Sequence, residues 1–288
     1  MWMNSVGENM HAIRLGFDIN KIPLQTGEPA IVIGSGPSVD RYGHLFRVKR
    51  CLEEGFDGKV FACDKAFKPC LDAGITPDYV VSVDGDERVT DFFKNTVNHV
   101  NLKERPIVIF NAATIHPETF KFVDERFHVY WFQGMVDNPN EKKSVTRVLH
   151  YMMRKTMLES LGNVGGMAWH LAYYLGCNPV GLVGLDFGYM AGTKIEDTIY
   201  YKAYLHMLEL AKEDPLLVDR YYRVITNPDS ETEVLVDINW DNYAYVFKLY
   251  AKKAWIQSKL RTINCNPSSS LFGEGIEYMP LEEFLKRR

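Results

Sequence analysis

The sequence predicts an α/β protein built on one open, mostly parallel sheet, with helices on both faces and a small C-terminal helical and β extension. Six short runs, PAIVIG, KVFAC, YVVSVD, PIVIFNA, FHVYWF and PVGLVGLD, are rich in branched and aromatic residues and apolar on both faces. Such runs suit strands of a parallel sheet covered on two sides. They are bounded by Gly, Pro, Asp and Asn, and stretches able to form helix lie between most of them.

Taken in order, PAIVIG leads into a helical stretch from Val39 to Glu54, KVFAC into Lys65 to Ala73, and YVVSVD into Glu87 to Asn98. A longer helical stretch, Ser144 to Leu175, is broken at Gly162 to Gly166 and precedes PVGLVGLD. This alternation implies right-handed crossovers and a Rossmann-like sheet. After Asp186 the texture changes to a loop, a helix around Glu196 to Lys212, and a polar-tipped strand pair in YYRVITNPDSETEVLVDI. WDNYAYVFKLYAKKAWIQSKL has Tyr243, Val246, Phe247, Tyr250 and Trp255 near helical spacing, as in an amphipathic helix, and its aromatics read chiefly as core packing. The tail supplies one short strand, a loop and a closing helix. Residues 1–27 therefore read as an N-terminal extension, 28–190 as a nucleotide-binding α/β core, and 191–288 as a C-terminal extension packed on the same domain.

Composition bounds the function. A chain of 288 residues, 46% hydrophobic and 24% charged, can bury one large core or two modest ones. A net charge of -4 gives no basic field that would draw in nucleic acid or an anionic membrane, so any phosphate site is local. The N-terminus lacks the basic and apolar regions of a leader, and no segment approaches the roughly 20 apolar residues of a bilayer span. The expectation is a cytoplasmic protein without membrane or nucleic-acid partners, with a homo-oligomer left open. Five cysteines without a CxxC pair read as buried, reduced thiols.

In an open α/β sheet, ligands bind beyond the carboxyl ends of the strands where strand order reverses. That rule singles out Gly34-Ser35-Gly36-Pro37-Ser38, Asp64, Asp84-Gly85-Asp86, Asn111 and Asp186. The glycine loop opens a helix, where unpaired N–H groups and the helix dipole favour an anion, with Ser35 or Ser38 adding a hydroxyl. Val39 stands where the dinucleotide fingerprint has its third glycine, and no GK[ST] ending makes a Walker loop; a plain tight turn is the competing reading. Asp84 and Asp86 could hold Mg²⁺ through oxygen ligands, or Asp86 could cap the next helix. Asp64 reads either as a nucleotide-binding residue or as the N-cap of the helix that follows. Asn163, Gly165 and Gly166 open a second helix whose N–H groups could meet a ligand, unless they mark a structural kink. Asp186 could orient an acceptor or act as a base. The eight histidines form no zinc spacing, although His116 and His170 could approach the site, and no GxSxG elbow supports hydrolase chemistry.

VIGSGPSVD, ACDKAFKPCLDAGITPDYVVSVDGD, GNVGGMAWHLAYYLGCNPVGLVGLDFGY and NCNPSSSLFGEGIEYMPLEEF, in this order over Glu28 to Leu285, resemble the MptE-like family. That family contains archaeal 6-hydroxymethyl-7,8-dihydropterin diphosphokinases and the central domain of the motility accessory factors (Maf), which are linked to flagellin glycosylation. SVDGD and GLDFG are similar to the diphosphokinase branch; GNVGGMAWHLAYYLGC and the tail look more like the accessory factors. The resemblance implies a nucleotide donor and a small-molecule or protein-borne hydroxyl acceptor. In one branch ATP with Mg²⁺ at Asp84 and Asp86 gives up a diphosphate; in the other a CMP-activated acidic sugar is the donor. A nucleotide-binding module without turnover is the third reading.

Overall fold

The computed structural model describes residues 2–94, 96, 105–123, 127–204 and 220–286. Helix α1 (Trp2–Leu15) and edge strand β1 (Phe17–Asp18) precede β2 (Ala30–Ile33), α2 (Ser38–Arg41), α3 (His44–Glu53), β3 (Lys59–Cys63), α4 (Asp64–Asp72) and β4 (Tyr79–Ser82). There follow α5 (Val89–Lys94), β5 (Ile107–Asn111), α6 (Pro117–Lys121), β6 (His128–Met135), α7 (Val145–Met153), β7 (Met157–Glu159), α8 (Val164–Tyr174) and β8 (Val180–Val183). The remainder comprises β9 (Tyr189–Met190), β10 (Tyr222–Asn227), β11 (Thr232–Asp237), α9 (Ile238–Ser258), β12 (Thr262–Asn264), β13 (Ile276–Tyr278) and α10 (Leu281–Lys286).

Ten strands form one sheet in the order β1-β6-β5-β4-β3-β2-β8-β12-β13, with β7 also on β6. Every pairing in it is parallel. From β2 the chain steps outward through β3, β4, β5 and β6, and α8 then carries it back to β8 on the other side of β2. Strand order therefore reverses between β2 and β8. Because all the strands run one way, Gly34, Asp64, Asp84, Asn111 and Asp186 all leave the sheet at the same edge. A separate antiparallel sheet, β10-β11-β9, stands beside that edge.

The strands form because their side chains are wanted on both faces: β2, β4 and β8 are buried at every position. Caps set three of the helix starts. The Ser144 side chain accepts from Arg147 N, Asn163 from Gly166 N, and Asp237 from both Asn239 N and Trp240 N. All five cysteines are buried and free. Among the described residues no helix is long and apolar enough to cross a membrane.

Several expectations need correcting. The stretch Val39 to Glu54 is two helices, parted at Gly43, whose φ of 58° ends the first and opens the second. The break in Ser144 to Leu175 comes earlier than its glycines, at Arg154 (φ 54°), and holds the strand β7. The tail contributes two strands, β12 and β13, rather than one. Of the helix expected over Glu196 to Lys212, Ile195–Asp197 is a 3-10 turn and residues 201–204 are helical, while 205–212 lie outside the described residues. The end of the Glu87 to Asn98 stretch also lies outside them.

Helix α1 packs on the main sheet and β1 is its edge strand. Val6 and Ile13 of α1 are 1% and 0% exposed, in one apolar cluster with Phe110 and Trp131. Asp18 of β1 accepts from Thr156 N at 2.6 Å and Thr156 Oγ1 at 2.7 Å, fastening the edge strand to the turn before β7. Ile13→Ala should lower the free energy of unfolding by about 2–5 kcal/mol, the range for truncating a fully buried aliphatic chain. Urea unfolding measures it, and a loss below about 0.5 kcal/mol would mean that α1 is not part of the core.

Candidate functional site

A cavity of about 580 Å³ opens where β2 and β8 part company. Gly34 to Pro37 form one wall with Cys63 and Lys65; Asn163, Val164 and Gly165 of α8 close one end; Leu185 to Met190 form the floor. Thr193, Asp197, Ile199 and Tyr200, from the segment that follows β9, and Trp240, from the first turn of α9, face them.

The floor is held by one carboxylate. Asp186 is 5% exposed, and its Oδ1 accepts from Ser38 Oγ at 2.5 Å and from Asn266 Nδ2 at 2.7 Å, while Oδ2 accepts from Ser38 N at 2.9 Å. Burial pushes its pKa up to about 6 against the pull of those three hydrogen bonds. Asp186 is therefore a tie between the end of β8, the start of α2 and the loop after β12. It was expected to orient an acceptor or act as a base; it lines the cavity, and both of its oxygens accept hydrogen bonds inside the fold.

The glycine loop is likewise directed inward. Gly34 N donates to Val183 O at 2.8 Å and Gly36 N to Gly184 O at 2.9 Å, Ser38 N goes to Asp186, and Pro37 has no N–H. The expected cradle of free N–H donors is thus absent at those four positions. The glycines answer a packing demand: a Cβ at Gly36 would lie 2.6 Å from the Asp186 carboxyl, and one at Gly34 would strike the Gly184 carbonyl. Ser35 exposes its side chain at the cavity wall.

At the other helix start, the Asn163 side chain accepts from Gly166 N at 2.8 Å and donates to Leu161 O at 3.2 Å, so it caps α8. Gly165 lines the cavity against Leu185, and Gly166 packs on Leu161. The N–H groups of Val164 and Gly165, in the first turn, have no intrahelical acceptor and lie at the cavity.

Asn111 is not brought to the cavity. It is 7% exposed, and its Oδ1 accepts from Gly134 N at 2.9 Å and Ala113 N at 3.2 Å, bridging β5 to β6. Asp84 and Asp86 also lie outside the lining. Asp86 is gripped by Arg88 through Nε at 2.9 Å and Nη2 at 2.5 Å, which holds its pKa down at about 2, and Asp84 Oδ1 accepts from Asp86 N at 3.2 Å. A Mg²⁺ ion at these two carboxylates would compete for Asp86 with the Arg88 guanidinium, whose side chain is 86% exposed. Among the described residues no group of three His, Cys, Asp or Glu is placed to hold a metal ion. Asp64 lies beneath the wall, 4% exposed, accepting from Ser82 Oγ at 2.7 Å and Lys65 N at 2.7 Å.

Sequence reasoning passed over the most accessible cation of the cavity, Lys65, whose side chain is exposed two residues past the end of β3. Its position in the CDK strand end was the available signal. The aromatics of α9, Trp240 among them, read chiefly as core packing rather than a base-stacking platform, yet Trp240 lines the cavity. Trp240 Nε1 donates to Tyr189 OH at 3.0 Å, Tyr189 OH donates to Asp237 Oδ2 at 2.7 Å, and Tyr200 meets Trp240 edge-on at 5.8 Å. That chain of bonds fixes the wall to the cap of α9.

Fold and cavity together define an open α/β protein with a ligand crevice at its topological switch point. The sequence family described as 6-hydroxymethylpterin diphosphokinase MptE-like matches residues 5–192, and the chain belongs to that family. A structure of the Maf glycosyltransferase from Magnetospirillum magneticum AMB-1 shares the fold over 100% of this chain, with a TM-score of 0.64 and 14% identity. The chain spans 39% of that protein's length. An uncharacterized protein from Treponema pallidum (strain Nichols) is 31% identical over 85 residues, covering 29% of this chain and 37% of that protein.

Asp64 gives the site a pH signature. Burial lifts its pKa to about 6, with Asp84 adding to the rise and Ser82 and Lys65 N opposing it. The unfolded chain titrates this group at about 4. The fold therefore binds the proton more tightly, and the stability this gives is complete below about pH 4 and lost as pH rises through about 6. Asp64→Asn, which mimics the protonated form, should stabilise the protein by up to about 3 kcal/mol at pH 7.5 and by almost nothing at pH 4. Urea unfolding at both pH values checks it, and a gain of equal size at both would contradict the titration.

Proposed function

We propose that this protein is a nucleotide-donor transferase of the 6-hydroxymethyl-7,8-dihydropterin diphosphokinase type, with the donor seated in the switch-point cavity. The observation that carries the proposal is the cavity itself. Its roughly 580 Å³ lies within the range of small-molecule sites, and it sets an exposed lysine and a helix start against a fixed aromatic wall.

Each part has a task in that reading. Lys65 neutralises donor phosphate as a flexible point charge, and the first-turn N–H groups of α8 at Val164 and Gly165 add donors backed by the helix dipole. Tyr200 and Trp240 offer apolar ring surface to the base or to a planar acceptor. Asp186 keeps the Gly34 to Ser38 loop in place and makes no contact with the reacting atoms. Transfer of a diphosphate to a hydroxymethyl oxygen needs the two substrates held in line and the phosphate charge neutralised, and these residues supply positioning and charge. The family's own description supports diphosphoryl transfer as the reaction to assay first.

A thermal-shift panel of ATP, CTP, CMP, GDP and UDP, each with and without Mg²⁺, tests the donor site, since a ligand that binds only the folded state raises its apparent stability. ATP is expected to protect, and Lys65→Ala to weaken that protection by roughly tenfold to a hundredfold in affinity, the worth of one charged hydrogen bond. Release of AMP with a hydroxymethylpterin acceptor completes the diphosphokinase reading. Protection by CMP or CTP instead of ATP would move the reading to glycosyl transfer, and protection without any product would leave a binding module. Absence of protection by every nucleotide would overturn the donor site.

A further inference from the structure

Helix α9 carries two stripes, and the fold uses one. Ala244, Phe247, Ala251 and Ala254 face inward and are buried in the main core. On the opposite side Ile238, Asn242, Tyr245, Leu249, Lys252 and Ile256 succeed one another at steps of four, three, four, three and four residues. That is the spacing of a helix-to-helix seam. Ile238, Tyr245, Leu249 and Ile256 are 41%, 63%, 49% and 55% exposed, and Asn242 and Lys252 are exposed with them. Single exposed apolar side chains are ordinary; four aligned along one seam over five turns are not.

The seam is complementary to itself. Laid antiparallel on a copy about a two-fold axis level with residue 247, Ile238 meets Ile256, Asn242 meets Lys252, and Tyr245 meets Leu249. Apolar faces apolar and polar faces polar in every layer. An isologous two-fold interface demands this reciprocity, whereas a groove shaped for an unrelated partner has no cause to be palindromic. Each polar layer is also restrained in charge, because Lys252 Nζ already holds Glu274 Oε2 at 2.7 Å. Two polar layers, related by the two-fold axis and set between apolar ones, fix the register of the helix pair.

We infer that α9 docks antiparallel on the α9 of a second copy of this chain through this seam. Ile238 to Ile256 spans about 27 Å of helix at 1.5 Å per residue. A single helix pair of that length lies at the small end of stable interfaces, so the dimer forms and dissociates with concentration.

Sedimentation velocity over a dilution series of the full chain tests the inference. Wild type is expected to pass reversibly between the mass of one chain and of two. Leu249→Glu sets a carboxylate against the partner's Tyr245 in both halves of the seam and should weaken association by roughly tenfold or more. Leu249 is half exposed, so the melting temperature of the dilute variant should match wild type, which separates lost association from lost folding. Asn242→Glu tests the register: facing the partner's Lys252, it should tighten the dimer. A single-chain mass at every concentration would overturn the inference, as would a dimer that neither substitution shifts.

Discussion

The architecture around the cavity depends on one buried carboxylate and the three donors that face it. Asp186 stands at the reversal of strand order, where two neighbouring parallel strands feed chains that diverge, and divergence by itself would leave a gap with unanchored walls. Ser38 and Asn266 each reach it from a different segment, 148 and 80 residues away in the chain. The bonds from Gly34 and Gly36 to β8 and its following loop complete the closure. The tail then locks the floor from behind: Ser269 Oγ donates to Leu185 O at 3.0 Å, Ser270 Oγ to Phe187 O at 2.8 Å, and Asn227 Nδ2 of β10 to Ser269 O at 2.9 Å. A short polar loop, Asn266 to Ser270, thereby joins the main sheet, the small sheet and the glycine loop. Its burial is tolerable because its polar groups find partners within the fold.

This arrangement explains why a glycine-rich strand end can resemble a phosphate loop and be wired differently. Both uses require backbone approach without a Cβ. In a phosphate loop the approaching group is the ligand; here it is the Asp186 carboxyl at Gly36 and the Gly184 carbonyl at Gly34. The donors left open to the cavity are those of neighbouring residues, Lys65 and the first turn of α8. Trp240 and Tyr189 contribute to the cavity and to packing together, since the hydrogen bonds that orient them end on the cap of α9.

The parallel sheet was legible because PAIVIG, KVFAC, YVVSVD and PVGLVGLD are apolar on both faces, a pattern that suits a doubly covered strand. The edge at which Gly34, Asp64, Asp84 and Asp186 emerge followed from that parallel order. The roles of those residues were not legible. Whether Asp186 meets solvent or Ser38 and Asn266 depends on contacts between segments far apart in sequence, and the pairing of Asp86 with Arg88 depends on how their loop turns. Helix α1 was detectable: Val6, Met10 and Ile13 recur at helical spacing, although the polar residues between them hide an apolar run. The seam on α9 was also present in the letters. A reading that asks only which stripe of a helix faces the core stops at the first answer.

The central claim is that the Asp186 carboxylate acts as a tie between Ser38 and Asn266. Urea unfolding of Asp186→Asn and of the exchanged pair Asp186→Asn with Asn266→Asp tests it most directly. The single change takes an acceptor from Ser38 or Asn266 and also removes a carboxylate whose pKa burial has raised to about 6, so two opposing effects combine and the informative quantity is the coupling in a cycle with Asn266→Asp. In the exchanged pair a carboxylate acceptor returns at position 266, the amide introduced at position 186 donates to it, and the pair should be more stable than the sum of its two single variants by about 1–3 kcal/mol. An exchanged pair as unstable as the sum of its two single variants would show that the residues act independently and would contradict the account.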